Sequence, residues 1–183
     1  PVVKSWSEAL NSGDPHRVHA AVMELIDMQS GGKLPAIVMD PKWMVSAWEK
    51  TIATADKYDH PGTFTAMIGY EWTVNVGGGD NLHRNVIYRD GKDKADRVLP
   101  YTTFQSENPE DLWKWMTEWE KTTGGKLLAI PHNGNLSNGR MFELTTFAGA
   151  PLTKAWADER QKWEPLFEAI QMKGQSESHP SLS

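Results

Sequence analysis

The chain has 183 residues, of which 39% are hydrophobic and 23% charged, and its formal net charge is −5. This composition is typical of a soluble globular protein, and the negative charge argues against duplex nucleic-acid binding, which usually needs a basic surface. No apolar run approaches the roughly 18 residues that would suggest a membrane span. Cysteine is absent, so a metal ion could be bound only by His, Asp, Glu, Asn or water.

Three helices are predicted by a polar residue followed by proline, the types preferred at the N-cap and at the first helical position. They begin at Asp14-Pro15, Asp40-Pro41 and Asn108-Pro109. Apolar residues at helical spacing follow each of these pairs. A fourth, weaker helix is predicted over residues 152–163. We expect the three polar residues to be N-caps.

Four short strands are predicted between and after these helices. They cover residues 64–72, 83–89, 126–131 and 167–172. Helices that alternate with strands favour an α/β fold with a largely parallel sheet. The glycines at 77–79 are followed by no helix and lack a phosphate-loop ending, so they predict a flexible hairpin or lid.

Polar residues with metal-binding side chains lie at the ends of these strands. Glu71 lies next to the last residue of the first strand, His83 begins the second, and His132 directly follows the third. Each of them alone is more typical of a solvated carboxylate or a hydrogen-bonded structural histidine. Together they would converge at one edge of an α/β sheet. From the residues alone, a metal site and a purely structural role both remain open.

The nine tryptophans are many for this length. Most of them fall at helical spacing, which favours packing against the core. The alternative is a stacking platform for sugars or bases, with exposed, coplanar rings.

Several of these motifs resemble the DUF3604 family. They are IGYEWT at 68–73, NLHRNV at 81–86, IPHNGNLS at 130–137, QMKG at 171–174 and ESHP at 177–180. The resemblance runs from about residue 40 to residue 183. The first forty residues, predicted as helical, match only loosely.

That family is similar in turn to the PHP (polymerase and histidinol phosphatase) superfamily, whose members resemble a distorted (β/α)7 barrel with two or three divalent metal ions. The resemblance implies a partial barrel of mostly parallel strands and a site for Zn, Mn or Fe. It implies that Glu71 bridges two metals while His83 and His132 each complete one metal's shell. The implied reaction is hydrolysis of a small anionic substrate, a phosphoester above all, by a metal-activated water.

Five further residues are substrate-binding candidates under this resemblance. They are Arg84, Asn133, Asn135, Lys173 and His179. The guanidinium of Arg84 could clamp an anionic oxygen, and the two asparagines could orient metal ligands or substrate. Hydrogen bonds that stabilise the loops are the alternative role for these three residues.

The superfamily's first, second and last metal motifs are missing from the chain. Residues 1–183 are therefore interpreted as a single domain that is an internal part of a larger barrel, with an incomplete metal site, weak or no metal binding and uncertain activity. The strands at 64–72 and 126–131 should lie centrally, and open sheet margins could lead to self-association. Both ends look cut, so the compartment stays open between bacterial periplasm and cytoplasm.

Two rival functions remain open. One is a tryptophan-rich binding module without catalysis. The other is a hydrolase of another ester or of an amide on the same scaffold, since one fold and one metal set support many chemistries.

Overall fold

The computed structural model describes residues 2–30 and 32–176. Six α-helices lie in this part of the chain. They are α1 (Val2–Leu10), α2 (Pro15–Ser30), α3 (Pro41–Tyr58), α4 (Lys92–Ala95), α5 (Pro109–Thr123) and α6 (Lys154–Trp163). The four predicted helices correspond to α2, α3, α5 and α6. None of the helices in the described ranges is long and apolar enough to cross a membrane.

The three predicted N-caps are confirmed. Asp14 accepts a hydrogen bond from the backbone N–H of His16 at 2.9 Å, and Asp40 accepts one from Lys42 at 2.9 Å. Asn108 accepts one from Glu110 at the same distance. In each case the side chain satisfies a helix N–H that has no partner within the helix.

Replacing Asn108 with Ala is expected to lower the free energy of unfolding by about 1 kcal/mol, because the first turn of α5 loses its cap. Asp14→Ala and Asp40→Ala should each have a similar effect on their own helices. Urea denaturation followed by circular dichroism measures the change. Asn108→Ser is the control, since serine also caps well. An alanine variant as stable as the unchanged chain would contradict a stabilising role for the cap.

Seven strands form three small antiparallel sheets in the described chain. The strands are β1 (Gly69–Trp72), β2 (Asn75–Val76), β3 (Asp80–Asn81), β4 (Arg84–Tyr88), β5 (Leu127–Pro131), β6 (Ile170–Gln171) and β7 (Gly174–Gln175). The main sheet has the order β1-β4-β5, and both of its pairings are antiparallel. The expected (β/α)7 barrel with mostly parallel strands is therefore wrong, and the strands of the described residues close no barrel.

The connections explain why the sheet is antiparallel. The segment between β1 and β4 is occupied by the β2–β3 hairpin and contains no crossover helix, which a parallel pair would need. The connection from β4 to β5 does contain α5. However, α5 ends next to the end of β4, where the carboxylate of Asp90 accepts the Lys126 N–H at 2.6 Å. The chain therefore enters β5 at the end where it left β4.

The centre of the sheet also differs from the prediction. β4 is the central strand, with β1 and β5 on either side of it. The first predicted strand is shorter than expected, because only Gly69–Trp72 pairs. Phe64 and Met67 before it are exposed. The fourth predicted strand is reduced to Ile170–Gln171, which forms a hairpin with β7.

The predicted glycine hairpin is present. Gly77 and Gly78 have φ values of 63° and 84°, in the left-handed region that favours glycine. They join β2 to β3, which pair through Asn75 opposite Asn81 and Val76 opposite Asp80.

The described residues divide into two compact units, with the boundary between Ala47 and Trp48. In the first unit α1 packs against α2, and the indole N–H of the buried Trp6 donates to Glu24 at 2.9 Å. The second unit contains the main sheet and a core rich in aromatic residues. Its largest fully buried side chains include Trp72, Trp119 and Trp163.

Candidate metal centre

The main sheet places Glu71, His83 and His132 on one face. His83 immediately precedes β4 and His132 immediately follows β5, and the His132 N–H donates to the His83 carbonyl at 3.1 Å. Glu71 in β1 lies opposite Asn85 in β4. Side chains alternate between the two faces along a strand. Asn85 and His83 are two positions apart, so all three candidates point to the same side.

These three side chains meet in space, as the sequence predicts. Each offers one ligand atom, and these atoms lie within 4.8 Å of one another. The two oxygens of the Glu71 carboxylate face different partners: Oε1 lies 3.1 Å from His83 Nδ1, and Oε2 lies 3.3 Å from His132 Nε2. The side chain of Glu71 is 41% exposed, whereas both histidines are buried. The cluster is therefore open to solvent on the carboxylate side.

The surroundings favour the ionised form of Glu71. Contacts with the imidazole of His132 and then with that of His83 hold the pKa of this carboxyl well below its usual range, despite an opposing effect of burial. The Thr73 hydroxyl also donates to Oε1, at 2.7 Å. The carboxylate therefore carries its negative charge throughout the neutral pH range.

The donor atoms fit a divalent cation. Two ligands at bond lengths of about 2.1 Å lie about 3.0 Å apart at a right angle and about 3.4 Å apart at a tetrahedral angle. The two nitrogen–oxygen separations, 3.1 and 3.3 Å, fall within that range. The His132 nitrogen that faces Glu71 is Nε2, whereas its Nδ1 is buried and has no hydrogen-bond partner among the described residues. Two imidazoles and one carboxylate are a common ligand set of catalytic zinc sites, so this group could hold a metal ion.

A second set of polar residues surrounds His83. Its Nε2 lies 3.1 Å from Asn75 Oδ1, and its Nδ1 lies 3.1 Å from Asn133 Nδ2. The backbone N–H of Asn133 donates to Glu168 at 2.8 Å, and Gln171 also donates to that carboxylate at 2.8 Å. The sequence analysis did not identify Asn75 as part of the site. Asn75 lies in the β2–β3 hairpin, and no sequence pattern indicates that its side chain contacts His83.

Arg84 lies in a different environment from the metal candidates. As the neighbour of His83 in sequence it points to the opposite face of the sheet, where its side chain is 2% exposed. Its Nε donates to Glu164 at 3.0 Å, and the carboxylate of Glu164 is 1% exposed. The structure thus places Arg84 in a buried ion pair, and its role as an anion clamp stays a prediction.

The remaining substrate-binding candidates are only partly brought together. Asn135 Nδ2 donates to the backbone carbonyl of Lys173 at 3.2 Å, which joins the loop after β5 to the β6–β7 hairpin. Asn133 contacts His83 directly. His179, and Glu177 in the same predicted motif, lie outside the described residues.

The tryptophans pack as the sequence analysis favours. All nine lie in the described ranges, and among them only Trp43, at 47%, is exposed. Trp113 and Trp119 of α5 are buried in the core. A stacking platform would need several exposed, coplanar rings, and only one tryptophan of the described residues is exposed.

Comparisons with known proteins give one match. A family model described as "Protein of unknown function (DUF3604)" matches residues 1–183. The first forty residues, which resemble the family only loosely by their motifs, are included in that match. No curated protein and no solved structure matches the chain, and none of these comparisons gives a similarity to the PHP superfamily.

Proposed function

The chain belongs to the DUF3604 family, and we propose that it provides the divalent-metal centre of a hydrolase that acts on phosphoesters. The proposed metal ligands are Glu71, His83 and His132. The proposed ion is Zn²⁺, Mn²⁺ or Fe²⁺, since imidazole and carboxylate ligands suit all three.

One observation carries this proposal: three potential ligand atoms from three separate segments of the chain lie within 4.8 Å of one another. Bringing two imidazoles and an ionised carboxylate together is costly unless a cation or protons balance the lone pairs that face each other. A bound divalent ion would lower the pKa of a water molecule and polarise the attacked phosphoryl group. The exposed side of Glu71 leaves room for substrate and water to approach.

The two carboxylate oxygens suggest how an ion could bind. Each oxygen faces its own histidine, so Glu71 would hold a bound ion together with one histidine or with both. We propose that this chain resembles the PHP superfamily only in its metal ligands. The main sheet is antiparallel, so the chain does not share the barrel of that superfamily.

The positive charge for an anionic substrate is proposed to come from Lys173. Arg84 is already paired with a buried carboxylate. Lys173 lies on the β6–β7 turn, whose backbone is tied to Asn135 in the loop that follows His132. Asn135 Oδ1 is buried and has no partner among the described residues, so it is an acceptor available to this part of the site.

Activity of the metal-loaded chain tests the proposal. The chain is stripped with a chelator, reloaded with Zn²⁺, Mn²⁺ or Fe²⁺, and assayed with p-nitrophenyl phosphate and bis-p-nitrophenyl phosphate. Sulfate-ester, carboxylic-ester and amide analogues test the rival hydrolase. The sequence alone predicts weak or no metal binding, because three superfamily motifs are missing, but the convergence of the three proposed ligands favours binding. We therefore expect cleavage of a phosphoester that requires the metal and is lost with the chelator.

Two outcomes would contradict the proposal. Cleavage of only the sulfate, carboxylic-ester or amide analogues would show that the metal centre serves the rival hydrolase activity. Metal binding without cleavage of any member of the panel would leave a metal-binding protein in place of a hydrolase.

A further inference from the structure

His83 has a polar partner at each of its ring nitrogens. Nε2 lies 3.1 Å from Asn75 Oδ1, a carbonyl oxygen that can only accept a hydrogen bond. Nδ1 lies 3.1 Å from Asn133 Nδ2, an amide nitrogen that can only donate. Both contacts are satisfied by the same neutral imidazole, with its proton on Nε2 and its lone pair on Nδ1.

The direction of these hydrogen bonds can be traced to Glu168. Burial alone would raise the pKa of this carboxyl, but hydrogen bonds from the Asn133 N–H, Gln171 and Ser176 outweigh it and lower the pKa. Ionised Glu168 can only accept. Gln171 must therefore turn its NH₂ group towards Glu168, and it does so at 2.8 Å.

Gln171 in turn orients Asn133. The same NH₂ group of Gln171 donates to Asn133 Oδ1. With its carbonyl oxygen facing Gln171, Asn133 can present only its NH₂ group to His83. We call Glu168, Gln171 and Asn133 the polarity relay, because each member fixes which end of the next side chain donates.

Glu71 competes for the same nitrogen of His83, since its Oε1 is 3.1 Å from Nδ1 and would accept a proton there. Two features decide the competition in favour of the relay. Oε1 already accepts from the Thr73 hydroxyl, and Glu71 is 41% exposed, so water can satisfy it. Asn133 is 1% exposed, and a proton on Nδ1 would leave its amide facing another donor with no solvent to replace the lost bond.

We propose that the polarity relay and Asn75 are positioning residues that keep the proton of neutral His83 on Nε2, so that Nδ1 is the nitrogen offered towards Glu71. Nδ1 and Glu71 Oε1 then face each other with lone pairs, an arrangement that a cation between them stabilises. The use of Nδ1 as a metal ligand rests on the proposed function, whereas the position of the proton does not.

The position of the proton can be read directly in the metal-free chain by nitrogen-15 NMR of the imidazole rings at alkaline pH. His83 is assigned by the signals that disappear in His83→Gln. We expect an Nε2 signal of the protonated type and an Nδ1 signal of the unprotonated type. A proton on Nδ1 of the unchanged chain would overturn the proposal.

Two asparagine-to-aspartate variants form a matched pair, because each adds one negative charge beside His83. Asn133→Asp still accepts from Gln171 but places an acceptor against Nδ1, so we expect the Nδ1 signal to become protonated. Asn75→Asp still accepts from Nε2, so the two signals should keep their types. An identical response of both variants would show that charge, and not hydrogen-bond direction, controls the ring.

Gln171→Leu tests the relay at a residue that donates to Asn133. It keeps the test possible if Asn133→Asp fails to fold. It releases the Asn133 amide to turn over, so the Nδ1 signal should move part of the way towards the protonated type. An unchanged signal would overturn the relay.

Isothermal titration of the unchanged chain with Zn²⁺ separates the two proposals. Absent metal binding with the proton on Nε2 would contradict only the proposed function. Metal binding with the proton on Nδ1 would contradict only the relay.

Discussion

Replacing Glu71 with Gln is expected to weaken the binding of Zn²⁺ by more than about 100-fold. Loss of an outer-shell partner of a metal ligand typically costs 10–100-fold in affinity, and Glu71 is proposed as a direct ligand. It contributes the negative charge and the oxygens that face both histidines. The affinity is measured by competition with a chromogenic chelator, and His83→Ala and His132→Ala should show losses of similar size.

Glu118→Gln is the matched control for this charge change. Glu118 lies on α5, its side chain is 64% exposed, and it forms an ion pair with Lys121 at 3.4 Å. Its replacement should leave the affinity unchanged. Equal affinities of Glu71→Gln and the unchanged chain would place the ion elsewhere, and Glu168 would be the first residue to substitute next.

Replacing Glu164 with Gln is expected to lower the free energy of unfolding by about 3–5 kcal/mol, the usual cost of breaking a buried ion pair from one side. The carboxylate is 1% exposed and accepts hydrogen bonds from Arg84 at 3.0 Å, Arg160 at 3.0 Å and the Trp113 indole at 2.9 Å. Glutamine offers one acceptor oxygen and no charge, so the buried guanidinium of Arg84 would lose its counter-charge. Urea denaturation measures the difference.

Asp158→Asn is the matched control on α6. Asp158 pairs with Lys154 at 2.5 Å, but the two side chains are 58% and 87% exposed. Exposed pairs contribute little, so the change should stay within about 0.5 kcal/mol. A loss as small as this for Glu164→Gln would show that the buried pair is dispensable and that Arg84 is free for another role.

The positions of the helices could be predicted from the sequence because helix starts are determined locally. Asp14, Asp40 and Asn108 each accept a backbone hydrogen bond two residues further along. The information for such a contact lies within one turn of helix. The fourth helix, α6, is likewise capped locally, by Thr153, whose hydroxyl accepts from the Trp156 N–H at 3.1 Å.

The three metal candidates could also be predicted, but for a reason that turned out to be wrong. They were expected to converge at the carboxyl edge of a parallel sheet. They converge because antiparallel pairing aligns Glu71 with Asn85 and brings His132 beside His83. In both arrangements residues at strand ends meet, so the prediction of the cluster survives the correction of the fold.

The sequence by itself determined the helix starts, the absence of thiolate ligands and the candidate metal ligands, since these depend on residue type and near neighbours. Only the tertiary structure decided the strand directions, the burial of Arg84 against Glu164, and the contacts of His83 with Asn75 and Asn133. Strand direction depends on where a connection returns the chain, and α5 returns it to the end of β4. The partner of a buried polar side chain can lie 80 residues away in sequence, as Glu164 does from Arg84. A local sequence pattern cannot predict a contact over such a separation.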